Sequence, residues 1–101
     1  MDRPEPVGRI LVVDDNLQAR ELLRAALTAE GYAVTLAEGG EEALAKVAEE
    51  VPELILLDIN MPGLNGYEVC GRLKGTEATR LIPIIFLTSM SDLEDKLRGI
   101  E

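Results

Sequence analysis

Asp14, Asp15 and Asp58 are the residues of this chain with the most chemistry to offer. Asp14-Asp15 closes the apolar run Ile10-Leu11-Val12-Val13, and Asp58 closes Leu54-Ile55-Leu56-Leu57. Uninterrupted apolar runs of this length read as strands buried on both faces, so each acidic set falls at a strand end. Carboxylates that converge there repel one another unless a cation lies between them. Hard oxygen donors gathered in one crevice suit Mg²⁺ or Mn²⁺. An aspartate beside such a cation can attack phosphorus and become an aspartyl-phosphate, with the cation offsetting the charge of the transferring group. Thr88-Ser89 follows a third apolar run, Ile84-Ile85-Phe86-Leu87, and a hydroxyl there can hydrogen-bond a phosphoryl oxygen.

The elements that must position these groups alternate strand and helix along the chain. Residues 9–13 predict a fully buried strand. Asn16 can cap a helix whose stripe is Ala19, Leu22, Leu23, Ala26 and Leu27, and Gly31 can end it in the left-handed conformation. Residues 33–37 form a more mixed strand, suited to a sheet edge, and Gly39-Gly40 break the chain. A second helix presents Leu44, Val47, Ala48 and Val51, and Pro52 stops it. Residues 54–58 are the second apolar strand, and 65–74 a third helix with Val69, Cys70 and Leu73 inward. Residues 84–87 predict a third buried strand, and Ser91 can cap a last helix carrying Leu93, Leu97 and Ile100. This order calls for a parallel sheet with helices on both faces. The edge-like second strand favours the order 2-1-3-4, in which ligands bind beyond the carboxyl ends of strands 1 and 3. Asp14-Asp15 and Asp58 occupy those two ends.

Composition narrows the function further. A chain of 101 residues with 47% hydrophobic residues makes one domain with a real core, and 3% aromatics make that core aliphatic. The net charge of −9 argues against nucleic acid or an anionic membrane as a direct partner. Cys70 is the only cysteine, which excludes an internal disulfide and fits a reducing, cytoplasmic setting. With no histidine, the chain has neither an imidazole ligand nor an imidazole base. Residues 1–8, with Pro4 and Pro6, are expected to be a disordered lead-in.

Taken singly, the chemical residues have plainer readings. Asp14-Asp15-Asn16 can be a helix-cap cluster, Asp58 with Met61-Pro62-Gly63 a turn, and Thr88 a strand residue. Their joint register with strand ends outweighs those readings. Glu41-Glu42 and Glu49-Glu50 read as solvated helix faces. An aspartyl-phosphate hydrolase of the haloacid dehalogenase type needs a second aspartate two residues after its nucleophile, where this chain has Asn60. A flavin binder would set a phosphate-binding loop after strand 1, where Asp14-Asp15 repels phosphate.

Three motifs carry a family resemblance: Ile10 through Asp15, Leu54 through Gly63 with Gly66 following, and Ile84 through Ser89. In these the chain resembles the receiver domain of bacterial two-component response regulators, from about Arg9 to Glu101. The resemblance implies a flavodoxin-like open parallel sheet and a signalling phosphoacceptor rather than an enzyme, although the family assists its own phosphotransfer and dephosphorylation. It implies that Asp58 accepts the phosphoryl group from a sensor histidine kinase or histidine phosphotransfer protein, and that Thr88 is the switch hydroxyl. It also implies Mg²⁺ held by Asp15, Asp58 and the Asn60 backbone carbonyl, with Asp14 acting through a water.

Against that family pattern, residues 9–101 are expected to be a receiver incomplete at its C-terminus. The fifth strand, which begins with a lysine that contacts the phosphoryl group, and the fifth helix have no counterpart. Lys96 falls on the last predicted helix and is no substitute. Two expectations follow: weak or no stable labelling by a small phosphodonor, and self-association or strand swapping through an exposed fourth-strand edge. A phosphorylation-deficient interaction module is the alternative reading.

Overall fold

The computed structural model describes residues 5–87. Four parallel strands form one sheet in the order β2-β1-β3-β4, as the pattern of apolar runs predicts. They are β1 (Arg9–Val13), β2 (Ala33–Ala37), β3 (Leu54–Asp58) and β4 (Ile84–Leu87). Three helices connect them: α1 (Leu17–Ala29), α2 (Gly40–Glu49) and α3 (Gly66–Lys74). The predicted last helix, with Ser91, Leu93, Leu97 and Ile100, lies outside the described residues.

The two central strands are the most buried. In β1 only Arg9 is exposed, and in β3 every residue after Leu54 is buried. Because successive side chains alternate, each strand feeds two cores. Leu11, Val13, Ile55 and Leu57 pack with Ala43, Val47, Val69 and Leu73 from α2 and α3. Ile10, Val12 and Leu56 pack on the other face, against Leu23 and Leu27 of α1. Cys70 packs against the first cluster as a free thiol, in keeping with its packing role.

Local signals set the helix ends. Asn16 accepts the N–H of Ala19 at 2.9 Å. Gly31 follows α1 with φ +95°, the left-handed turn that glycine makes without a Cβ penalty. Asn65 and Glu68 form a reciprocal capping box at α3, each accepting the other's N–H at 2.9 Å. Gly39 offers no side-chain cap to α2, and Glu42 reaches back to accept the Glu38 N–H at 2.6 Å.

Three packing expectations need correction. Leu22 is 72% exposed and Ala26 is exposed, so the α1 stripe runs through Ala19, Arg20, Leu23 and Leu27. On α2, Ala48 and Val51 are exposed and Ala43 is the buried residue instead. On α1 the covered face is turned towards Arg20 and away from Leu22 and Ala26, because what lies against the helix, not apolar spacing alone, sets the face. Strand β4 is not doubly buried: Ile85 and Phe86 are exposed and Ile84 and Leu87 only partly covered. It pairs with β3 on one side and is an edge of the described sheet, where the expected order 2-1-3-4 puts it, and only the reading of burial on both faces fails. The exposed Tyr67 and Phe86 rings lie 5.2 Å apart in a tilted contact.

At the N-terminal side, pairing begins before β1. Val7 donates its N–H to Gly31, and Gly8 accepts from Ala33, both at 2.9 Å. Among the described residues, no helix is long and apolar enough to cross a membrane.

Candidate metal centre

The in-register pairing of β1 with β3 sets the site. Val13 lies opposite Leu57, so Asp14 and Asp58 leave adjacent strands at the same level. The chain then turns away at both points, and the same local bond shapes each turn. The Asn16 N–H donates to Asp14 Oδ1 at 2.9 Å, and the Asn60 N–H donates to Asp58 Oδ1 at 3.2 Å. Each aspartate is thus held by the amide two residues ahead of it.

One carboxylate oxygen from each of Asp14, Asp15 and Asp58 lies within 4.8 Å of the other two. Asp58 is 1% exposed and Asp14 5%, whereas Asp15 is open to solvent. Burial pushes the Asp58 carboxyl up to about 6, and the nearby charge of Asp14 pushes the same way. The Asn60 N–H opposes that shift, and Asp15 adds to it through its charge and a hydrogen bond. The site therefore holds more negative charge than it can easily keep without a cation.

The donor set fits a small hard cation. Such an ion takes oxygen ligands, carboxylates and waters above all. Asp14, Asp15 and Asp58 each bring a carboxylate oxygen to within 4.8 Å of the other two, an all-oxygen, anionic set.

Two other residues shape the crevice. Gly66 starts α3 directly against the end of β3, where a Cβ would meet the Asp58 carbonyl oxygen at 2.5 Å and Ile59 Cα at 2.8 Å. Its N–H donates to the Ile59 carbonyl at 2.9 Å, which fastens α3 to the turn after Asp58. Arg20 is the buried residue of α1, and its Nη1 donates to the Asp14 carbonyl oxygen at 2.8 Å. Residue types alone give Arg20 no role. The available signal is its spacing, since residues 20, 23 and 27 fall on one helical face with Leu23 and Leu27.

The structure thus brings Asp14, Asp15 and Asp58 together, with Asn60 at the turn beyond Asp58. Thr88 and Lys96 lie outside the described residues. Glu41 and Glu49 are exposed, and Glu50 makes only a long pair with Arg9 at 4.0 Å, as solvated faces would.

The chain is similar to known proteins in sequence and in fold. Residues 10–101 match the sequence model of the response regulator receiver domain. The chain is 46% identical over 94 residues to response regulator PleD of Caulobacter vibrioides, covering 93% of this chain and 21% of PleD. It is also 46% identical over 93 residues to transcriptional regulatory protein ResD of Bacillus subtilis, covering 92% of this chain and 38% of ResD. Among solved structures, the receiver domain of a signal transduction histidine kinase from Syntrophus aciditrophicus matches with a TM-score of 0.79 and 38% identity, covering 94% of this chain and 72% of that one. The N-terminal domain of a response regulator receiver protein from Methanoculleus marisnigri matches with a TM-score of 0.79 and 28% identity, covering 94% of both chains. The chain spans between about a fifth and two fifths of the length of the curated relatives it matches.

Proposed function

The chain belongs to the response regulator receiver domain family, and from that premise we propose that Asp58 is the phosphoacceptor of a two-component phosphorelay. The observation that carries this reading is the buried Asp58 carboxylate, gathered with Asp14 and Asp15 where β1 and β3 end. The donor would be a phosphohistidine on a sensor kinase or phosphotransfer protein. An Asp58 oxygen attacks phosphorus, the P–O bond forms as the P–N bond breaks, and the imidazole leaves with the electron pair and takes up a proton.

The chain's own residues prepare that attack. The turn through Asn60 holds the Asp58 carboxylate by one oxygen. Asp15 and Asp58, with the Asn60 backbone carbonyl, are assigned as direct ligands of Mg²⁺ or Mn²⁺. Asp15 is exposed and can meet an entering ion. Asp14 is buried and already accepts the Asn16 N–H, which suits contact through a water. When bound, the cation neutralises the carboxylates and the charge of the incoming phosphoryl oxygens. Thr88, assigned as the switch hydroxyl, follows Leu87, the residue paired with Asp58 across β3 and β4.

Incubation with Mg²⁺ and acetyl phosphate tests the assignment. The expected result is acid-stable, base-labile label that requires Mg²⁺ and disappears in Asp58→Asn. Label that persists in that variant would overturn it.

A further inference from the structure

Arg20 has a cost that its helix does not explain. A buried cation is unfavourable unless it is paired or hydrogen-bonded. The nearest carboxylate is Glu38 at 3.9 Å, and Glu38 is 75% exposed where the Arg20 side chain is 10% exposed. The short bond goes instead to a main-chain oxygen, the carbonyl of Asp14, at 2.8 Å.

That oxygen belongs to the peptide plane shared by Asp14 and Asp15, which moves as one unit. The rest of Asp14 is tied as well. Its N–H donates to the Ala37 carbonyl at 3.1 Å, and its Oδ1 accepts the Asn16 N–H at 2.9 Å. Asp15, the exposed member of the acidic trio, bonds through its side chain to Asp58 among the described residues. The direction in which it leaves the chain is set by the plane that Arg20 holds. The other end of the guanidinium faces Glu38, in the turn between β2 and α2, at 3.9 Å.

We propose that Arg20 is a positioning residue for the metal centre, clamping the Asp14–Asp15 peptide so that the Asp15 carboxylate is pre-oriented towards the divalent ion. This rests on the reading that the acidic trio binds Mg²⁺ or Mn²⁺. Charge and positioning make opposite predictions. A guanidinium near a cation site repels the ion, so removing the charge alone should tighten binding. Removing a group that fixes the ligands should loosen it, and the partners of metal ligands typically contribute roughly 10–100-fold in affinity. A role in folding alone would lower stability and leave affinity unchanged.

The test is the Mn²⁺ dissociation constant, by calorimetry or by the electron paramagnetic resonance of free Mn²⁺, for the wild-type chain, Arg20→Met and Arg20→Lys. Far-UV circular dichroism sets a temperature at which each variant is folded. Arg20→Met is expected to bind about tenfold more weakly, the low end of that range. Arg20→Lys keeps the charge and loses the fork, and is expected to fall between the other two. If Arg20→Met does not fold, weaker binding by Arg20→Lys carries the inference. Affinity equal to or tighter than wild type in the folded variants overturns it. Absence of binding by the wild type overturns the reading of the site itself, and the inference with it.

Discussion

The two ends of the sheet treat charge in opposite ways. At the amino ends of β1 and β3, unlike groups are mixed. Arg9 faces Glu50 at 4.0 Å, its N–H donates to Glu53 at 3.1 Å, and Lys46 and Glu49 share a cavity of about 180 Å³ with Arg9 and Glu50. At the carboxyl ends, Asp14, Asp15 and Asp58 are gathered within 4.8 Å, and the guanidinium nearest to Asp14 bonds its backbone rather than its carboxylate. The first end is built to be stable by itself. The second is built short of positive charge, a deficit that the proposed cation would relieve. Stability given up in this way at one end of a scaffold is a common mark of a functional site.

The largest break in that contrast should come from Gly66→Ala. The added methyl would press on backbone at the end of β3, 2.5 Å from the Asp58 carbonyl oxygen, and backbone there cannot move aside cheaply. A loss of about 2–4 kcal/mol is expected, read as a lower urea midpoint at unchanged slope, together with weaker Mn²⁺ binding. A near-neutral result would show that the entry of α3 is not what fixes the acidic end.

Asp58→Asn should move stability the other way. The Asp58 carboxyl titrates at about 6 in the fold, above its ordinary 3.8. A group raised in this way stabilises fully below the unfolded value and loses that contribution as pH rises through the folded one. In metal-free protein at pH 7.5, ionised Asp58 therefore costs about 2–3 kcal/mol, and the asparagine variant should melt higher by roughly 8 °C or more. The gap should shrink to about 1 kcal/mol at pH 4.5 and close only below the ordinary 3.8, and it should narrow at pH 7.5 as Mg²⁺ binds the wild type. Melting curves in EDTA and in Mg²⁺ at both pH values decide it. A variant that melts lower than wild type at pH 7.5 in EDTA would mean that the acidic end carries no excess charge.

Much of this contrast is legible in the sequence, for physical reasons. Strands buried on both faces have no polar positions, so Ile10 through Val13 and Leu54 through Leu57 announce themselves, and the first carboxylate after each marks a strand end. The parallel order then brings Asp14 and Asp58 side by side. What stays hidden depends on packing partners. Ile84 through Leu87 has the same apolar signature, yet Ile85 and Phe86 are exposed, because burial depends on what lies against the strand. Leu22, expected on the inner face of α1, faces water, and Arg20 is buried instead, with its fork on a carbonyl at the end of β1. Gly66 is visible as a residue, but its reason, a backbone approach too close for a Cβ, is purely three-dimensional.

The smallest expected effect tests the stable end. Glu50→Gln removes a carboxylate 4.0 Å from Arg9, a pair with both side chains about half exposed or more. Exposed pairs gain little, because water screens them and both side chains lose freedom on pairing. The change should cost no more than about 0.5 kcal/mol at low salt and vanish in 0.5 M NaCl. It should leave Mn²⁺ affinity unchanged, because Glu50 ends α2 at the opposite end of the sheet from the acidic trio. The variant removes one negative charge, as Asp58→Asn does. If charge removal as such stabilised this chain, which carries a net −9, both variants should melt higher. The acidic crevice predicts that only Asp58→Asn does. Equal gains from the two would assign the effect to the overall charge of the molecule and remove the distinction between its ends.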